Sequence, residues 1–179
     1  MGSYSPIHDV FRRNNVKAVD YAKLQTEQAF GLLKMAADGM DDAQYNLDGP
    51  GTCNAAAKSH VHALTSFDFF VMNKAKGADM IWPAFASKNG LPPNPQEIWG
   101  HGAIISGAAM KDYAEQIQKV TLDYIATLND ADLDRQVDTQ FFGMQSLAFL
   151  IQLASMHATG HAGDVAAVKG MQGLKGLPF

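Results

Sequence analysis

The stretch LAFLIQLASMHATGHAGDVAAV, residues 147–168, decides the fold. Leu150, Ala154, His157, His161, Asp164 and Val168 recur every three or four positions, so they share one face of a helix, and that face is also the apolar stripe. The spacing predicts a long helix from near Gly143 to about Lys169, with Gly170 as its exit. The apolar run from Ser146 to Ala158 is interrupted by Gln152 and His157 and is far shorter than the roughly 20 residues a bilayer requires, so no membrane span is expected.

Working outward, the chain repeats helical periodicity between Gly, Pro and Asn punctuation, with no convincing alternation that would indicate sheet. A first helix is expected from Ser5-Pro6, which resembles an N-cap with proline in the first turn, to Gly39, with Asn14-Asn15 as a candidate break. Its stripe is Ala18, Tyr21, Ala22, Ala29, Leu32, Leu33 and Ala36. After the turn Gly49-Pro50-Gly51, Thr52 can cap a second helix carrying His60, Leu64, Phe67 and Val71 as far as Gly77. Residues 78–102 hold Pro83, Pro92, Pro93 and Pro95, too many breakers for a long helix, and form an irregular excursion of the kind that often covers a site. A third helix follows from about Ile104 to Leu128. Four amphipathic helices, each hiding one stripe, bury their apolar faces as an all-α four-helix bundle.

Two imidazoles four residues apart on a helix point the same way and can share one cation, so His157 and His161 are candidate metal ligands. His60 occupies the apolar seam of the second helix, since Leu64, Phe67 and Val71 continue its heptad, and it too should face inward. Three inward imidazoles lose hydration, and adjacent ones resist taking protons together; a shared ion answers both problems. Three neutral nitrogens leave coordination positions open, as in catalytic metal sites. Two residues along a helix turn a side chain by about 200°, so only one of His60 and His62 can face the seam. The heptad selects His60, with His62 as the alternative.

Other chemistry-bearing residues are fewer. Asp164, three residues after His161, can hydrogen-bond a ligand imidazole or contact substrate. His101, between Gly100 and Gly102, lies where a loop meets the third helix and is a candidate proton shuttle. Gly160 and Gly163 are costly in a helix unless something approaches closely there. Trp82, Phe85 and Trp99 are candidates for an apolar rim over the site or an oligomer contact. His8 fits the first turn of the first helix, and the nine methionines read as gap-filling core residues.

Composition narrows the function classes. The 179 residues suit one domain, 1–179, with 170–179 expected as a flexible tail; 47% hydrophobic residues supply a core. Lys and Arg number 14 against 18 Asp and Glu, which gives no basic footprint for nucleic acid. The one cysteine, Cys53, cannot form an internal disulfide, and no signal-peptide layout precedes Ser5, so the expected location is cytoplasmic.

The segment from Met156-His157 through His161-Ala162-Gly163-Asp164-Val165 resembles the last helix of the DinB/YfiT-like superfamily. Ser59-His60-Val61 ahead of Phe67-Asp68-Phe69-Phe70 resembles that family's second-helix histidine, and Leu133-Asp134-Arg135-Gln136-Val137 its segment before the last helix. The resemblance implies an up-down-down-up four-helix bundle with a three-histidine divalent site, usually described with zinc or nickel, and maps the ligands to His60, His157 and His161. It also implies chemistry of the kinds known in the family: transfer of bacillithiol-type thiols, mycothiol-dependent isomerisation, or a domain role in sulfoxide synthases. The leading expectation is therefore a metal-dependent enzyme joining a low-molecular-weight thiol to an electrophilic small-molecule substrate. A metal-dependent hydrolase, and a non-enzymatic metal- or ligand-binding stress protein, are the alternatives. Homodimerisation is left open.

Overall fold

The computed structural model describes residues 16–177. The expected helix start at Ser5-Pro6, the Asn14-Asn15 break and His8 lie outside the described residues. The chain is mostly helical: α1 (Ala18–Ala37), α2 (Asp42–Asn46), α3 (Ala56–Ser66), which runs on as a π-helical segment (Phe67–Lys76), α4 (Trp82–Lys88), α5 (Gly107–Ile125) and α6 (Leu147–Met171). Two 3₁₀ segments, Pro95–Gly100 and Asp130–Asp134, and a short antiparallel pair, β1 (Gln136–Asp138) with β2 (Met144–Ser146), complete it.

α6 is the central element, packed against α1, α3 and the π-helical segment. Ser146 caps it by accepting from the Phe149 N–H, satisfying one of the donors a helix start leaves free. Its buried line is Leu147, Leu150, Ile151, Ala154, Ala158, Ala162, Val165 and Val168. Small alanines along the middle of that line let α1 and α3 come close, and a polar bridge between α1 and α6, Thr26 Oγ1 to Ser155 Oγ at 3.1 Å, is buried and mutually satisfied. Phe30 of α1 stacks on Phe67, with centroids 4.3 Å apart. α5 contributes Met110, Tyr113, Ile117, Tyr124 and Ile125 to the same core.

The π-helical segment ends at Gly77, whose φ of 78° places it in the left-handed region that glycine enters without a Cβ penalty. Asp68, fully buried within that segment, anchors the excursion that follows. Its carboxylate accepts from the backbone N–H groups of Ile81 and Trp82 at 3.0 and 2.7 Å, and from the Tyr113 hydroxyl at 3.0 Å. Burial pushes its pKa up, while these three donors pull it down. Trp82 is fully buried and donates its indole N–H to the Pro92 carbonyl, so it belongs to the core and not to a rim.

Several sequence expectations are corrected. α3 begins at Ala56 with Ala55 at the cap position, not at Thr52; Asp48 accepts from the Ala55 N–H in place of a cap side chain. The segment before α6 forms a two-stranded hairpin, where no sheet was expected. Of the expected α1 stripe, Ala29, Leu33 and Ala36 are buried and Ala22 and Leu32 half-buried, but Ala18 and Tyr21 are exposed, and Val19, Thr26 and Phe30 join the buried line. Met72 and Met110 are buried, but Met144, Met156 and Met171 are exposed and fill no gap. A Cβ built on Gly160 or Gly163 meets nothing within 4 Å, so nothing in the described chain makes a close approach there. Beyond Met171, residues 172–177 turn back along α6, with Gly176 against Ala166 and Leu177 packed on the core.

Candidate metal centre

The sequence places His157 and His161 on α6, and the structure keeps them together: their ring centroids are 4.5 Å apart. The third imidazole beside them is His62. Its centroid lies 4.7 Å from that of His157 and 5.0 Å from that of His161. One ring nitrogen from each of the three falls within 4.8 Å of the others, a spacing that one ion can bridge.

His60, expected as the third ligand, faces inward as the heptad requires but does not join them. It is 5% exposed, and its Nδ1 lies 2.8 Å from the Tyr45 hydroxyl of α2. Its Nε2 is buried without a partner. The physical reason for the exchange lies in α6. His157 and His161 each precede a fully buried alanine, Ala158 and Ala162, by one residue, which on a helix is a turn of about 100°. The pair therefore sits half-buried on the shoulder of the apolar stripe, and the face of α3 that meets that shoulder carries His62. The interior at the level of His60 is taken by Tyr45.

Electrostatics favours neutral imidazoles. Burial, then the neighbouring His157 and His161, push the His62 pKa down to about 4. Burial and His161 also lower that of His157, with Asp164 opposing. Neutral rings have no proton for an incoming cation to displace. Asp164 Oδ2 lies 2.8 Å from His161 Nδ1, and a carboxylate there accepts the Nδ1–H, leaving Nε2 as the donor atom for a ligand. Asp164 thus takes the position expected of it. His101 does not: its Nδ1 accepts from the Ala103 N–H, and it stands outside the three-histidine group.

Trp99, from the 3₁₀ segment of the excursion, packs on His62 with centroids 5.0 Å apart, so this part of the expected rim is present. Phe85 packs instead with Trp82 and Tyr113. A cleft of about 440 Å³ opens beside the histidines, with His62 and His157 in its wall. Sequence reasoning did not find it, because its walls come from five separate segments: α3, the π-helical segment, the excursion, the hairpin tip and α6. The consecutive pairs Phe69-Phe70 and Phe141-Phe142 were the visible signal.

The arrangement is a helical scaffold that brings one histidine from an early helix together with two from the last, a set that could hold a metal ion. The sequence profile of the DinB superfamily matches residues 25–165, and the chain belongs to that superfamily. Two solved structures share the fold. A conserved protein from Enterococcus faecalis is 15% identical, with a TM-score of 0.71 over 87% of this chain and 96% of that one. A protein described as the sibling lethal factor precursor DfsB is 18% identical, with a TM-score of 0.64 over 89% of this chain and 98% of that one. No curated protein matches the chain.

Among the described residues no helix is long and apolar enough to cross a membrane.

Proposed function

We propose that the chain is a metal-dependent enzyme that transfers a low-molecular-weight thiol to an electrophilic small molecule, with His62, His157 and His161 holding a divalent zinc or nickel ion. The observation that carries this reading is three ring nitrogens within 4.8 Å of one another at the edge of an apolar cleft. The donor set fits: imidazole suits both ions, and three protein ligands leave room for a reactant. When bound, such an ion supplies a Lewis acid that lowers the pKa of a thiol or water at its open position.

The chain's own residues do the rest. His62 and His157 stay unprotonated at neutral pH because burial opposes their charge. Asp164 fixes the His161 tautomer. Trp99 covers one side of His62, and the apolar cleft excludes water from the acceptor. In the overall transfer the thiol proton goes to solvent, sulfur forms a bond to carbon, and the leaving group departs with its bonding pair. The fold reading that accompanies this is the up-down-down-up bundle of α1, α3, α5 and α6, supported by the packing of α6 against α1 and α3 and of α1 against α5.

The test is metal analysis of freshly purified protein beside the double variant His157→Ala/His161→Ala, followed by turnover of a model electrophile with and without added thiol. Stoichiometric metal in the parent alone, with thiol-dependent turnover that vanishes on chelation, is the expected result. Equal turnover by metal-free protein refutes the proposal, and turnover without thiol replaces it with hydrolysis.

A further inference from the structure

The cleft beside the histidines has a lining that says what it accepts. Phe69 and Phe70 come from the π-helical segment, Phe141 and Phe142 from the hairpin tip, Met80 from the excursion and Leu153 from α6. No Asp, Glu, Lys or Arg lines it. Its polar residues are His62, His157, Thr65, Ser66, Asn94 and Gln96. An apolar, mostly aromatic pocket of about 440 Å³ with a small number of polar groups matches the pattern of a small-molecule site.

The aromatic rings touch one another across the cleft wall, Phe69 against Phe141 and Phe70 against Phe142. Phe69 and Phe141 have centroids 5.7 Å apart at 52°, and Phe70 and Phe142 6.4 Å apart at 32°. Phe141 and Phe142 are 70% and 51% exposed although they stand beside an apolar cavity, so their apolar area is not consumed by the fold. The backbone that presents them is specialised: Gln140 and Gly143, which bracket the pair, both have φ of 67°. Such a conformation in a residue other than glycine is held only where the surroundings determine it; here the Gln140 N–H donates to the Asp138 carboxylate. The π-helical turn, an arrangement frequent at functional sites, brings the consecutive Phe69 and Phe70 to the same cleft.

We infer that this cleft binds an uncharged aromatic molecule against the wall formed by Phe69, Phe70, Phe141 and Phe142, and that this molecule is the acceptor of the transferred thiol. The role as acceptor rests on the function proposed above; the binding itself does not. In the part of the cleft walled by the phenylalanines, Met80 and Leu153, away from His62 and His157, a carboxylate would shed its hydration with no cationic side chain to replace it, so charged aromatics are disfavoured there. The anionic groups that small cellular thiols commonly carry are disfavoured there on the same grounds, and the thiol must approach the histidines from outside that part.

The experiment is a fluorescence titration of metal-free protein with N-phenyl-1-naphthylamine, an uncharged aromatic reporter, followed by displacement with 1-naphthalenemethanol and with 1-naphthoate. Reporter binding should weaken roughly tenfold or more in Phe141→Ser/Phe142→Ser, whose exposed sites tolerate the change. The control Ile104→Ser, also exposed but not lining the cleft, should bind as the parent does. The alcohol should displace the reporter at concentrations at least about tenfold lower than the naphthoate. Unchanged binding in the double serine variant, or equal displacement by naphthoate, overturns the inference. So does sedimentation showing that the parent is a dimer, the serine variant a monomer, and the reporter bound only by the dimer, since the exposed phenylalanines would then be a contact between copies of the chain. Because the titration uses metal-free protein, a chain that binds the reporter and takes no metal refutes the metal reading alone, and one that takes metal and not the reporter refutes the cleft alone.

Discussion

Replacing each of the two neighbouring α3 histidines separates the metal site from the core. His62 contributes a nitrogen to the group spanning 4.8 Å, whereas His60 is 5% exposed and paired with Tyr45 at 2.8 Å. Binding of a structural zinc by four ligands is worth about 10–16 kcal/mol, so one ligand accounts for about 3 kcal/mol, or on the order of a hundredfold in affinity. His62→Ala should therefore weaken zinc binding at least about a hundredfold in competition with a chromophoric chelator, with a melting temperature of the metal-free protein close to that of the parent. His60→Ala should do the reverse. It empties a buried space and strands the Tyr45 hydroxyl, a loss of about 2–3 kcal/mol, or roughly 5–10 °C in Tm for a chain of this size, with zinc affinity changed by no more than a few-fold. A His60→Ala protein that remains folded and loses as much zinc affinity as His62→Ala refutes the assignment.

Asp164→Ala removes the acceptor that orients His161 and should lower zinc affinity by about tenfold, the low end for such partners because the carboxylate is 60% exposed; chelator competition measures it. Nickel titration should quench the fluorescence of Trp99, which packs on His62, and the quenching should vanish in Trp99→Phe while that protein still binds the ion. Gly160→Ala and Gly163→Ala meet open space on α6 and should each raise stability by about 0.5–1 kcal/mol in urea unfolding; a decrease would mean that something packs against that face. Acid should destabilise the metal-free fold through His60, whose pKa burial pushes down to about 4. The unfolded chain takes up this proton below about pH 6.5 and the folded chain only near pH 4, so stability is flat above the first value and falls between them. The difference of 2.5 pH units sets a ceiling of about 3 kcal/mol for His60; His62, lowered to about 4 as well, adds to the same slope, so His60→Phe should reduce that part of the urea-derived stability profile without abolishing it.

The helices were legible because their stripes are long. α5 and α6 repeat apolar residues over 19 and 25 positions, enough for the helical period to stand out. The elements that went unread are short or are fixed by distant partners. Each strand of the hairpin has three residues, too few to display an alternation. α2 has five and depends on a capping box between Asp41 and Gln44. The excursion is pinned by Asp68 from the segment before it, whose buried carboxylate serves three donors; nothing in the local sequence of 78–102 announces that anchor.

The sequence pointed to a cluster of three histidines, and the cluster that forms differs in one residue, with His62 in the place expected for His60. Inwardness was read correctly for His60, which lies in the core line of α3 with Leu64, Phe67 and Val71. The inference that all three histidines share one seam fails because α6 presents its pair 100° away from its own alanine line, toward the edge of the bundle. A cluster placed on that shoulder is half-buried where a site in the seam would be sealed. Burial then suffices to keep His62 and His157 neutral, while one side still opens to the aromatic cleft. His60 instead stands beside Tyr45 in the wall of a separate cavity of about 230 Å³. The two-residue shift from His60 to His62 thus moves the third imidazole from the core beside Tyr45 to the half-buried edge beside His157 and His161.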